Sequence, residues 1–520
     1  MSKIGPALAE RLKNARGHDV FRVVIFLKDE PARMHLDFSD VTRVPRGRED
    51  WLKRMQFDTE NSQAKILKYL SSQKSRPLTL DDGVVVPRVG NVESFWINNS
   101  IAAEISPELI KKIVGRGDVA FVEIERRADI SELLDSRISD RPPVADSNLT
   151  ATWSVAHINA PLLWQIGIDG TDVVVAVVDT GVNYDHSDLK NRMWVSKKYP
   201  KHGYDFEAGD DDPMDAQGHG TCCAGIVAGD GTSGKRTGVA PGARIMAVRV
   251  GGAESQFWSG LQFAITEGAD VISMSMTWKY PSNPDYPGWR RVCETILAAG
   301  ILHANSTGNQ GTDQQTYPVP FNIATPGNCP PPWLHPLQLP TGGLSSPISC
   351  GATTVADTLA PYSGRGPAAW ESGSYTDYPW QGGSQPGLMK PDICAPGPGT
   401  ESCNFAYDPA VSGSKPYVSF GGTSAATPHI GGCLALLASA CIQSETPIVP
   451  SRIQQALERT AVRVVGQTTD KENHFGAGRV DVKAAFDYGV SQGWWRSPAP
   501  TAALSFRLAN DRRRVRVAST

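Results

Sequence analysis

The chain has 520 residues, 40% hydrophobic and 20% charged, with a formal net charge of −3. That length calls for two or more folded units, and the composition is globular rather than disordered. A nearly balanced charge excludes nucleic acid and anionic membrane as main partners. The first twenty residues lack the apolar core of a signal peptide, and the first apolar run, at 23–27, is short and late. The longest apolar run before the first motif, at 173–178, is far short of a membrane span. The expectation is a soluble monomer, cytoplasmic or exported by a non-classical route.

In chain order, residues 20–27 read as a strand and 51–70 as a helix with Leu52, Met55, Ile66, Leu67 and Leu70 on its apolar face. Residues 91–97 and 100–105 read as two strands around the turn pair Asn98-Asn99. Ser106-Pro107-Glu108 predicts a capped helix ending near Gly115, and 118–125 a further strand. The order β-α-β-β-α-β predicts a small α+β, ferredoxin-like unit over residues 18–127. Residues 128–150 carry Arg141-Pro142-Pro143 without a sustained period and read as a linker. Over residues 151–490 strands at 173–178, 243–250, 271–276 and 301–305 alternate with helices at 259–268, 291–299 and 430–440. Such alternation predicts an α/β unit, a parallel sheet with helices on both faces. Residues 491–520 form a basic tail that includes Arg512, Arg513 and Arg514. The nine cysteines have no zinc-type spacing and are expected to be buried thiols, with a Cys394–Cys403 disulfide as the alternative.

Three stretches carry chemistry. Val177-Val178-Asp179-Thr180-Gly181 runs a buried strand into a carboxylate at its C-terminal end, where open α/β sheets place their ligands. Gly218-His219-Gly220 sets a histidine between two glycines, with little steric cover. Gly421-Gly422-Thr423-Ser424-Ala425 delivers a serine to the start of an apolar helix, with Pro428 in the first turn. Each alone has a plain structural reading: a strand-end turn, a loop histidine, a serine N-cap. Together they supply a nucleophile, a base to take its proton and a carboxylate to orient that base. The chain order Asp, His, Ser excludes the chymotrypsin and α/β-hydrolase arrangements.

These motifs resemble those of the subtilisin-like serine proteases, the subtilases. The resemblance spans about residues 151–490 and implies a parallel seven-stranded sheet. It makes Ser424 the nucleophile, His219 the general base and then acid, and Asp179 its orienting partner. Ser306-Thr307-Gly308-Asn309-Gln310-Gly311 resembles the family's oxyanion loop, so Asn309 would donate to the tetrahedral intermediate beside the Ser424 amide. Ser275 and Gly308 would line the first specificity pocket. Thr277 and Trp278 stand where the family has smaller residues, which unsettles the usual substrate pairing at Thr277.

The N-terminal unit resembles the inhibitor-I9-like propeptide domain of many subtilases. This implies a self-processing zymogen in which the propeptide is an intramolecular inhibitor and the cut falls within about residues 126–150. Asp205, Asp210 and Asp212 resemble a calcium loop near the active site, the one cofactor expected and a structural one. Cys223 falls beneath the catalytic histidine, as in some family members. The function implied is a serine endopeptidase acting on protein or peptide substrates. The alternatives are a pseudoenzyme or a peptide ligase on the same fold.

Overall fold

Side chains alternate across a strand, and in Phe21–Leu27 (β1) both faces are buried: Val23, Ile25 and Leu27 on one, Val24 and Phe26 on the other. A strand buried on both sides needs a layer on each. The computed structural model describes residues 3–16, 18–31, 48–74, 77–79, 83, 85–134, 151–331, 338, 345–369 and 387–498. Before the strand lies α1 (Pro6–Lys13), and after it come α2 (Arg48–Lys74), β2 (Val89–Phe95), β3 (Ser100–Ile105), α3 (Pro107–Val114) and β4 (Val119–Ile124). The strands form an antiparallel sheet in the order β2-β3-β1-β4, the ferredoxin-like arrangement.

Val23, Ile25 and Ile101 pack with Ile66 and Leu70 of α2 and with Leu109 and Ile113 of α3. The second helix runs past both predicted ends because its extra turns are polar, held by pairs such as Glu49–Lys53 at 2.8 Å. Ser106 precedes α3 without a hydroxyl cap; its carbonyl takes the Leu109 and Ile110 amides. A short helix, α4 (Ile130–Leu134), follows β4. The rest of the expected linker, residues 135–150, lies outside the described residues.

The larger unit is built on β5 (Val174–Asp179), β6 (Gly203–Asp205), α5 (His219–Ala228), β7 (Arg244–Arg249), α6 (Glu254–Thr266), β8 (Val271–Met274), α7 (Tyr286–Ala298), β9 (Leu302–Ser306), β10 (Ile348–Thr353) and β11 (Ile393–Pro396). These strands form one seven-stranded sheet, β6-β7-β5-β8-β9-β10-β11, every pair parallel. The chain leaves β5 to one side and returns to β8 on the other. The carboxyl end of β5 is therefore the topological switch point.

Alternation sorts the two faces. Val175, Val177, Ile245 and Ala247 pack under α5 and the long helix α8 (Thr423–Gln443). Ala176, Val178, Met246 and Val248 pack under α6 and α7. The second helix layer is covered in turn by Val24, Phe26, Phe95 and Ile97 of the N-terminal unit. Trp258, fully buried, meets Phe26 and Phe95 edge-on, with ring centroids at 6.1 and 5.8 Å.

Three helices start earlier than their patterns predict. The seventh begins at Tyr286, where Tyr-Pro-Gly reads as a turn but the Asp285 carboxylate caps the Gly288 amide at 3.0 Å. The sixth starts at Glu254 rather than near 259, and the eighth at Thr423, which puts Pro428 in its second turn, not its first. The eighth is long and apolar enough to cross a membrane, yet 94% of that stretch is buried inside the fold. The boundary expected at 490 cuts packed structure. After α9 (Pro450–Arg459), helix α10 (Val482–Ser491) runs past that boundary, and Trp495 is 2% exposed against Phe486. Residues 499–520, most of the expected tail, lie outside the described residues.

Candidate active site

Asp179 is the last residue of β5. Its Oδ1 accepts from the Thr180 amide at 2.9 Å and from His219 Nδ1 at 2.6 Å. A carboxylate only accepts, so Nδ1 carries the imidazole proton and Nε2 remains the basic nitrogen. His219 opens α5 because glycines surround it. Gly218 adopts φ +92°, and a side chain there would meet the Phe405 ring at 2.4 Å. At Gly220 a Cβ would lie 2.1 Å from the Gly181 carbonyl and 3.1 Å from Asp179 Cβ. Only a bare backbone lets this helix begin against the strand end.

Ser424 is the second residue of α8. Pro428 has no amide to give the Ser424 carbonyl one turn back. That carbonyl accepts instead from Ser275 Oγ at 3.1 Å and Cys223 Sγ at 3.7 Å. The proline therefore frees an acceptor that ties the serine turn to β8 and α5. Ser275, expected in the specificity pocket, directs its hydroxyl to this anchor. Cys223 also lies 3.9 Å from His219 Nδ1. Burial first, then Asp179, pushes its thiol well above the ordinary value, so it is no thiolate nucleophile.

Asn309 Oδ1 accepts from the Thr423 amide at 2.8 Å and the Thr423 hydroxyl at 3.0 Å. A backbone N–H can only donate, which fixes oxygen toward Thr423 and turns Nδ2 away as a donor. Gly308 before it has φ +87°, and a Cβ there would lie 2.3 Å from Gln310 Oε1. Neither Thr423 nor Pro428 stands out as functional in the sequence. A proline four residues after a candidate nucleophile is the signal that could have found the second.

The N-terminal unit sends its last residues across this cluster. The Ala128 amide donates to the Gly252 carbonyl at 2.9 Å, and the Glu254 amide to the Arg126 carbonyl at 3.2 Å. The Thr277 amide donates to the Leu133 carbonyl at 3.1 Å, and Lys279 Nζ to the Glu132 carbonyl. Ser424 Oγ donates to the Leu134 carbonyl at 3.2 Å, while His219 Nε2 has no partner among the described residues. Asp179, His219 and Ser424 are thus 0, 2 and 1% exposed. Thr277 pairs despite its bulk because only its backbone is used. Trp278 turns inward, fully buried, and exchanges two 2.8 Å bonds with Thr325.

The subtilase family model matches residues 170–478, the span that holds all four motifs. The chain belongs to the subtilase family. It is accordingly a serine-type endopeptidase. Bacillopeptidase F of Bacillus subtilis (strain 168) is 28% identical over 83% of this chain, which spans 28% of that longer relative. Serine protease AprX of the same organism is 30% identical over 74% of this chain and 78% of its own length. Thermitase of Thermoactinomyces vulgaris is 28% identical over 64% of this chain and 94% of its own.

The expected calcium loop does not form a converging ligand set in this subtilase. Asp205 Oδ1 accepts the Glu207 and Ala208 amides at 2.7 and 2.9 Å, and Oδ2 lies 3.3 Å from Arg249. Asp210 takes the Asp212 amide at 2.9 Å, and Asp212 takes Tyr184 and Lys201 at 2.8 and 2.5 Å. Turn amides, a phenol and cations are the partners of these carboxylates. Among the described residues the one group with ligand-like spacing is Asp179, His219 and Cys223, inside the catalytic cluster. All nine cysteines are buried free thiols, and Cys394 points to the Phe475 carbonyl rather than to Cys403.

Proposed function

We propose that peptide bonds are hydrolysed here through an Asp179–His219–Ser424 triad, in a chain made as a self-processing zymogen. The observation that carries this is the 2.6 Å Asp179–His219 bond at the switch point, with Ser424 Oγ against a peptide carbonyl in the same cleft. For reaction the hydroxyl turns from the Leu134 carbonyl to His219 Nε2. Oγ then attacks the carbonyl carbon as Nε2 takes its proton, and Asp179 stabilises the imidazolium. Asn309 Nδ2 and the Ser424 amide, free at the helix start, receive the developing oxyanion. Collapse breaks the C–N bond as His219 returns the proton to the leaving amine. Water then repeats the sequence on the acyl-enzyme, and no cofactor enters any step.

The carbonyl at the nucleophile is that of Leu134, within the window expected for the processing cut. The pose is a resting one, because α4 is helical where a cleavable peptide must be extended and the hydroxyl is not on its base. The test is the N-terminus of the purified chain. Wild type is expected to lose residues 1–134 and to take a fluorophosphonate label on Ser424. Ser424→Ala stays intact and unlabelled, with activity down by about 10⁶, a magnitude carried over from subtilisin. A Ser424→Ala chain that still processes itself would refute the reading.

A further inference from the structure

One buried carboxylate next to the catalytic cluster has no step in the hydrolysis described above. Asp215 is 7% exposed and lies on the loop between β6 and α5. Its Oδ1 accepts the Thr180 hydroxyl and the Gln217 and Gly218 amides, all at 2.9 Å. Its Oδ2 accepts the Thr221 amide at 2.9 Å and the Thr221 hydroxyl at 2.6 Å. Thr180 follows Asp179 at the end of β5, and its hydroxyl in turn accepts the Gly220 amide at 3.0 Å. The Thr221 hydroxyl takes the Asn183 amide at 2.9 Å. The donors on this one side chain thus come from the strand end that carries Asp179 and from both sides of His219.

We propose that Asp215 is a positioning residue that fixes the Asp179–His219 geometry through Thr180. The inference rests on the peptidase reading above. The first amides of a helix have no intrahelical acceptor, and Gly218, the N-cap of α5, has no side chain to offer one. Asp215 supplies the acceptor from outside the helix. By taking Thr180 with the same oxygen, it ties the helix start to the strand end. Asp179 stands one residue before Thr180 and His219 one residue after Gly218, so this clamp sets the gap their side chains must span. Its charge has a second use. His219 sits at the positive end of the helix dipole, which disfavours the imidazolium formed during attack, and a carboxylate among the same amides offsets that field. Loss of Asp215 would leave the buried Gly218 and Thr221 amides without partners, and the turn would rearrange to find them.

The test compares turnover of quenched fluorescent peptides by the processed wild type and three variants. Asp215→Asn keeps an oxygen for Thr180 and Gly218 but turns an amide group toward the Thr221 N–H, which sets two donors face to face. Thr180→Val preserves shape and removes only the hydroxyl that joins strand to helix, whereas Thr180→Ser keeps that hydroxyl. Asp215→Asn is expected to lower kcat by about 10²-fold with KM nearly unmoved, the loss that a small misplacement of reacting groups brings. Thr180→Val lowers kcat in the same sense, and Thr180→Ser restores it. The intact chain carrying Ser424→Ala gives a second readout that needs no processing. There the His219 Nδ1 proton, in a short bond to a carboxylate, gives a far-downfield proton resonance. It is expected to move or broaden in Asp215→Asn and Thr180→Val and to stay in place in Thr180→Ser. Should Asp215→Asn fail to fold, the threonine pair decides alone. A loss confined to KM, or to unfolding with the resonance unmoved, overturns the positioning role alone. A wild type that cleaves nothing overturns the hydrolytic reading and, with it, this one.

Discussion

The two faces of the parallel sheet are buried to the same depth by different parts of the chain. Under α5 and α8 the core is closed by residues of the larger unit alone, from Val175 and Val177 to Leu434 and Leu437, all fully buried. Under α6 and α7 it is finished by the N-terminal unit, whose Val24, Phe26, Phe95, Ile97 and Leu133 share one cluster with Trp258 and Trp289. The self-sufficient face carries His219 and Ser424 on its helices. The borrowed face carries Glu254 and Asp285, beside the segment that closes the cleft. A unit that occupies the active site is thus held there chiefly by a hydrophobic core, which is non-directional and tolerates release better than a buried ionic lattice.

The largest test of that division falls on the catalytic side. Asn309→Ala is expected to lower kcat by about 10²–10³, or ~2.7–4 kcal/mol as in subtilisin, and to leave KM nearly unmoved. A variant that loses rate only through KM would remove Asn309 from the oxyanion site. Leu437→Ala should cost about 2–5 kcal/mol in the intact chain and equally in the chain freed of residues 1–134, read by denaturant unfolding. Ile97→Val should cost about 0.5–1.5 kcal/mol in the intact chain and nothing once its unit is gone. Equal losses in both forms would break the comparison.

The smallest effect is in pH. Asp285 is raised from 3.8 to about 6, so the stability it contributes is full below 3.8 and lost as pH rises through about 6. The groups around it are Glu254, Glu123, Arg126 and Arg291. Asp285→Asn, which keeps the oxygen for the Gly288 amide, should therefore flatten the pH dependence of unfolding across that window. Parallel melting profiles for the two chains would put the titration elsewhere.

Much of this was legible in one dimension because the signals are local. Residues 174–178 are apolar throughout, so a doubly buried strand could be read without any partner. The glycines beside His219 and before Ser424 announced the turns they make. Helix starts were harder. Tyr286-Pro287-Gly288 resembles a turn until Asp285 caps it, and the exposed ends of α2 carry no apolar period. The acidic stretch from Asp205 to Asp212 poses a related difficulty. Composition shows how many carboxylates lie close in sequence, not which amides and cations claim them first.

From sequence alone came the strand order of the small unit, four of the seven strands of the large sheet, the motif residues Asp179, His219, Asn309 and Ser424, and the family whose chemistry they match. Each rests on short-range pattern: alternation, glycine placement, motif order. The tertiary structure alone decided that Pro428 hands the Ser424 carbonyl to Ser275 and Cys223, that Thr423 sets the face of the Asn309 amide, and that Leu134 stops at the nucleophile. These are contacts between groups distant in the chain. Their partners are chosen by how packed layers meet, which no local periodicity encodes.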